Sequence, residues 1–208
     1  MKIMKIAKIE KSSFDAVSDS LEFNVIDNVN WANEFPEKPD VGFVIAHDGD
    51  NLYLKYTVKE SVSQALELVD GKPVCVDSCV EFFVSFDDTG YYNFEFNCIG
   101  TALLAFRKER KNSKPATAEI FSLIERSTSV ERASFDEKHI NQWQLSVTIP
   151  KEAFYCHNFS DLSGLKAKAN FYKCGDNLSK PHFVSWNAIS NATPNFHLEE
   201  FFGEVEFD

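Results

Sequence analysis

Apolar and polar residues alternate with period two along most of the chain, and short polar turns separate the runs, the pattern of strands and not of helices. Val41 to His47 and Leu52 to Val58 flank Asp48-Gly49-Asp50, a glycine-containing loop that suits a hairpin. Val76 to Phe86 and Tyr91 to Phe106 flank Asp87-Asp88-Thr89-Gly90 and predict a second hairpin. From Gln142 to Ile149 the alternation puts Trp143, Leu145, Val147 and Ile149 on one face, so Trp143 is expected in the core, and Pro150 ends the strand. Leu165, Ala167, Ala169 and Phe171 repeat the pattern, and Phe183 to Trp186 and Gly203 to Phe207 read as closing strands. Helix is expected only as short turns near Glu60 to Leu68 and Lys151 to Phe154, and the basic run from Arg107 to Pro115 as a solvated loop. The expected fold is all-β: a single domain over residues 1–208, an antiparallel β-sandwich of two sheets, immunoglobulin- or jelly-roll-like, with short helical turns.

Side-chain parity in the second hairpin carries more. Val80, Phe82, Val84 and Phe86 share one face and leave Glu81, Phe83 and Ser85 opposite; Tyr92, Phe94 and Phe96 alternate with Asn93, Glu95 and Asn97. Both apolar faces reach one core only if the loop holds an odd number of residues, which Asp88-Thr89-Gly90 satisfies, with Gly90 at a left-handed position. Glu81 then lies beside Glu95 and Asn97. A carboxylate, planar amides and an aromatic ring on one face offer hydrogen bonds to vicinal hydroxyls and a platform for the apolar side of a sugar.

Composition narrows the ligand. The 208 residues carry a net charge of −11, which repels nucleic acid and anionic membrane surfaces. The N-terminal apolar residues are interrupted by Lys, so no signal peptide is expected, and no run is long enough to span a membrane. The five cysteines are odd in number and several sit in strand-like runs, pointing to reduced, buried thiols. The expectation is a cytoplasmic protein if Met1 is the native start, and otherwise a periplasmic or extracellular one.

Asp77 to Val84, Tyr91 to Asn97, Trp143 with Ile149-Pro150, Asn170 to Asp176, Ser185-Trp186-Asn187 and Pro194 to His197 with Phe202-Gly203 resemble, in order and spacing, the family 9 carbohydrate-binding modules from about Phe43 to Phe207. The resemblance implies a β-sandwich that holds a sugar, or the end of a glucan or xylan chain, between aromatic rings and polar side chains, without catalysis. It places Glu81 on the family's Val-Glu strand, Asn93 and Glu95 on its polar strand, and Trp186 with Asn187 on its late aromatic loop. The expected ligand set is Trp186 as stacking platform with Glu81, Asn93, Glu95, Asn97 and Asn187 as polar contacts and Arg107 at the rim. The sugar-binding members carry a second Trp before the Val-Glu strand, where this chain has Val74, Cys75 and Val76; Trp31 is the tryptophan left to replace it.

Three rival readings stand beside this one. Glu81 and Glu95 at about 5 Å would suit a retaining glycosidase. The polar face or a sheet edge would suit a protein-interaction module that has lost sugar binding. Zinc is disfavoured because Cys75, Cys79, Cys98, Cys174, His182 and His197 form no close-spaced ligand pairs; no cofactor is expected, with structural calcium at Asp87 and Asp88 as the one exception weighed.

Overall fold

The computed structural model describes residues 1–11, 14–109, 111–135 and 138–208, with the side chains of 132–139 outside that description. Its strands are β1 (Ile3–Lys8), β2 (Asn24–Val25), β3 (Asn28–Val29), β4 (Asp40–His47), β5 (Asn51–Glu60), β6 (Cys79–Asp87), β7 (Gly90–Asn97), β8 (Ala102–Glu109), β9 (Asn112–Pro115), β10 (Glu125–Phe135), β11 (Lys138–Pro150), β12 (Lys166–Cys174), β13 (Phe183–Ser185) and β14 (Gly203–Phe207). The helices are α1 (Phe14–Val17) and α2 (Ala118–Leu123), with short 3-10 turns.

The strands form one curled, mixed sheet in the order β10-β11-β5-β4-β1-β14-β12-β6-β7-β8-β9. The antiparallel expectation is corrected at β1, which runs parallel to β14 through Ile3–Ile6 and parallel to β4 through Ala7 and Lys8. A hairpin turn forces antiparallel pairing on chain neighbours, but β1 meets strands distant in sequence and no turn sets its direction. It thereby joins a β10-β11-β5-β4 wing to a β14-β12-β6-β7-β8-β9 wing. The wings pack apolar face to apolar face: Phe43 of β4 stacks on Phe171 of β12 at 3.8 Å between ring centroids, and Phe171 on Phe82 of β6 at 5.0 Å. Trp143 is buried among these residues, as its alternation predicts.

Three local expectations change. Residues 61–68 form no helical turn, because the Asp77 carboxylate accepts from the Leu66 and Glu67 amides and Ser78 Oγ from Gln64, so side chains replace helical carbonyl partners. The basic run is no loop: β8 and β9 pair through it, Arg107 opposite Ser113, and Arg110 lies outside the described residues. Helix α2, which periodicity missed, is capped by Thr117, whose side chain accepts from the Ile120 amide. Among the described residues no helix is long and apolar enough to cross a membrane.

Candidate functional site

The second hairpin forms with the predicted parity. Glu81 stands directly opposite Glu95, Phe82 opposite Phe94 and Phe83 opposite Asn93. The loop is shorter than expected, Asp87 pairing with Gly90, and a bulge between Val84 and Asp87 restores the register that a three-residue loop would otherwise supply. Gly90 has φ +149°, and a Cβ there would collide with the Arg107 carbonyl oxygen. Consequently Cys79, not Glu81, is the residue opposite Asn97.

The polar face is not solvated. Segments from 183 to 202 cover it, and Trp31, Phe83, Tyr91, Tyr172, Phe196 and Phe202 pack there as a second apolar cluster. Glu81 is 3% exposed and Glu95 4%. Between them and the covering segment lies a cleft of ≈ 80 Å³, lined by Cys75, Glu81, Glu95, Cys174, Asp176, Phe183 and the run Pro194 to His197. Asn93 Nδ2 donates to Glu95 Oε1 at 2.8 Å, and Arg107 Nε donates to Asn93 Oδ1 at 2.7 Å, so Arg107 orients the amide that orients the carboxylate. Burial, followed by the charge of Glu95, pushes the Glu81 carboxyl well above its ordinary value, and Cys174 Sγ donates to Glu81 Oε1 at 3.1 Å. This direction favours the protonated form of Glu81, which both donates and accepts.

Of the seven expected ligand residues, the fold gathers Glu81, Asn93, Glu95 and Arg107. The other three serve the scaffold. Trp186 is no exposed platform: it is 3% exposed, with Phe171 edge-on at 5.6 Å and the Gly203 backbone so close that a Cβ there would lie 2.6 Å from the indole. Asn187 Nδ2 donates to Phe201 O at 2.6 Å, and its Oδ1 accepts from the Lys2 amide at 3.0 Å. Asn97 Nδ2 donates to Glu67 O and to Asp77 Oδ2, tying down the 61–68 segment.

The aromatic walls come from residues that the sequence pattern does not mark as ligands. Phe183 is half-buried at the cleft, meeting Phe35 edge-on at 4.8 Å. Phe196 is stacked on Tyr172 at 4.2 Å. Trp31 stands behind both, 6.3 Å from Phe183 and 6.2 Å from Phe196, and its Nε1 donates to Asn191 O. His197 Nδ1 meets the Tyr91 hydroxyl at 2.8 Å. The signal for Phe196 lies in the Pro194 to His197 run, an aromatic inside a turn-rich segment; Phe183 looks like an ordinary strand residue.

The wall and floor of this cleft occur in a chain that the sequence profile described as "Carbohydrate-binding family 9" matches over residues 13–207. The chain belongs to carbohydrate-binding family 9. A solved structure of a candidate carbohydrate-binding protein from Bacteroides uniformis ATCC 8492 is similar to this family 9 chain at 36% identity and a TM-score of 0.90, covering 100% of it and 99% of that chain. A family 9 module from Caldicellulosiruptor kristjanssonii in complex with glucose is similar in fold at 13% identity and a TM-score of 0.64, covering 100% and 96% of the two chains. The same organism's module in complex with cellotriose gives 12% identity and a TM-score of 0.61, covering 99% and 93%. No curated protein matches the chain.

A buried ionic group lies on the opposite face of the same wing. Lys173 Nζ, fully buried, pairs with Glu60 Oε2 at 2.8 Å and donates to His182 Nε2 at 2.8 Å and to Cys174 O, while Trp143 Nε1 donates to Glu60 Oε1 at 2.7 Å. Burial pushes the Glu60 carboxyl up, but the Lys173 ammonium and the hydrogen bonds outweigh it and hold the group below its ordinary value. Burial and the same ammonium lower His182 to about 4, so it is neutral, with Nδ1 donating to Lys180 O.

Proposed function

We propose that this family 9 chain binds a single sugar ring or the end of a saccharide, without transforming it, in the cleft floored by Glu81 and Glu95. The observation that carries the reading is this facing pair of hydrogen-bonding carboxyls beneath the aromatic walls of Phe183 and Phe196. Glu81 and Glu95 bond adjacent hydroxyls, Asn93 and Arg107 fix Glu95, and Phe183 receives the apolar side of the ring in place of Trp186. A cleft of ≈ 80 Å³ is small beside the roughly 300–1,000 Å³ typical of ligand pockets, which favours a chain end over an internal segment and a weak affinity. The glucose and cellotriose held by relatives of the same fold make these the first ligands to test. In a cytoplasmic setting the ligand would be an oligosaccharide or sugar metabolite.

Calorimetric titration with glucose, xylose, cellotriose and short β-linked xylan oligomers tests the reading. Saturable binding is expected, weakened about tenfold or more in Phe183→Ala, the worth of one stacked ring near 1.4 kcal/mol. Silence across the panel would overturn it. Hydrolysis is the second reading, favoured because burial and a neighbouring carboxyl push Glu81 toward its protonated form, as a general acid requires. Turnover of aryl glycosides that disappears in Glu81→Gln would establish that alternative.

A further inference from the structure

Beneath the cleft, strand pairing assembles donors that sequence spacing conceals. Cys79 of β6 stands directly opposite Cys174 of β12, and Glu81 lies next along the same face. The thiol of Cys174 and the carboxylate of Glu81, 93 positions apart in the chain, are 3.1 Å from each other. One sulfur from each cysteine and one oxygen from Glu81 all fall within 4.8 Å of one another, and all three residues are buried. Ligands of a tetrahedral zinc-type ion at Zn–S of about 2.3 Å sit about 3.8 Å apart, so small side-chain shifts would close the set.

We propose that Cys79, Cys174 and Glu81 bind one thiophilic divalent cation of the zinc type, with its fourth position opening into the cleft.

The open side fits in character, since Cys75 and Asp176 line the same cleft. The unmetallated thiols are kept protonated: burial pushes Cys79 up to about 12, and a hydrogen bond with Cys79, then burial, raises Cys174 well above its ordinary value. Binding must therefore expel those protons, M²⁺ replacing one from each thiol and one from Glu81, with the charge of Lys173 close enough to favour both the Cys79 thiolate and the Glu81 carboxylate. Close-spaced cysteine pairs mark zinc sites built on turns; here adjacent strands do the spacing. The site shares Glu81 with the proposed sugar cleft, so the cation is titrated with no sugar present and its binding is read apart from sugar binding.

The test is titration of the reduced full-length protein with Cd²⁺, following the ultraviolet thiolate-to-cadmium band and proton release in weak buffer, with circular dichroism to check folding. One equivalent is expected, with the band unchanged in Cys156→Ser, whose thiol is exposed and outside the cluster. Cys79→Ser and Cys174→Ser should lose the band. Glu81→Gln, which preserves volume and so guards against misfolded serine variants, should weaken binding more than the roughly 10–100-fold typical of outer-shell changes. The proposal is overturned by the absence of a band in excess Cd²⁺, or by a band that survives in both cysteine variants or is unaffected by Glu81→Gln.

Discussion

Glu60 and Glu81 are both buried carboxyls that touch β12, and the protein treats them in opposite ways. Glu60 meets a lysine, an indole N–H and a neutral histidine, and stays ionised below its ordinary range. Glu81 meets a thiol and a second carboxyl, and is pushed far above that range. Burial is common to both; the partner decides the charge. The first arrangement is closed, and it pins β5 to β12 across the core. The second faces a cleft, where a perturbed carboxyl can meet a ligand.

The sharpest way to break the comparison is to remove the cation from the closed site. Lys173→Met strands an ionised Glu60 in the core and is expected to cost about 3–5 kcal/mol in urea unfolding, while adding Glu60→Leu should recover most of that loss. A cost under about 1 kcal/mol for the single variant would show that water reaches Glu60. Trp143→Phe removes one hydrogen bond to the same carboxylate, worth about 1–3 kcal/mol; that part should vanish when measured on the double variant, because the acceptor is gone, leaving the packing loss of the smaller ring.

Smaller effects belong to the open site. Glu81→Gln should change stability by less than about 1 kcal/mol near pH 4, since the native glutamate already carries its proton. Its pH dependence has a definite sign. A carboxyl raised in the folded state contributes fully below its unfolded value, near 4.5, and that contribution is lost as pH rises toward the native value. The amide introduced by Glu81→Gln cannot ionise, so the Tm of the variant should gain on wild type as pH rises above about 4.5. A constant difference over that range would mean that Glu81 is ionised in the native protein.

The Glu81–Glu95 pair is legible in the sequence because period two fixes faces, and a change of loop length is absorbed by a bulge without altering parity. What parity does not reveal is the cover. Segments from 183 to 202 lie over this face, and that packing turns an apparently solvated set of polar groups into a buried one. Trp186 misleads for a related reason. Ser185 and Asn187 make it resemble a loop residue at the surface, but both are satisfied locally or by β12 and Phe201, leaving the indole free to enter the core. Lys173 does leave a trace, since it shares the core-facing parity of Phe171 and so has to meet a counter-charge. Which acid answers it depends on the meeting of β5 and β12, and no local pattern encodes that.

The parallel pairing of β1 with β14 also sets how the molecule would bear load. Ile3 lies opposite Glu204 and Ile6 opposite Phe207, so the start of one strand and the end of the other sit at opposite ends of the ladder. Pulled apart by its two termini, the protein would strain these hydrogen bonds in shear, all together, instead of unzipping them one at a time. The seam that joins the two wings is thus also a mechanical clamp.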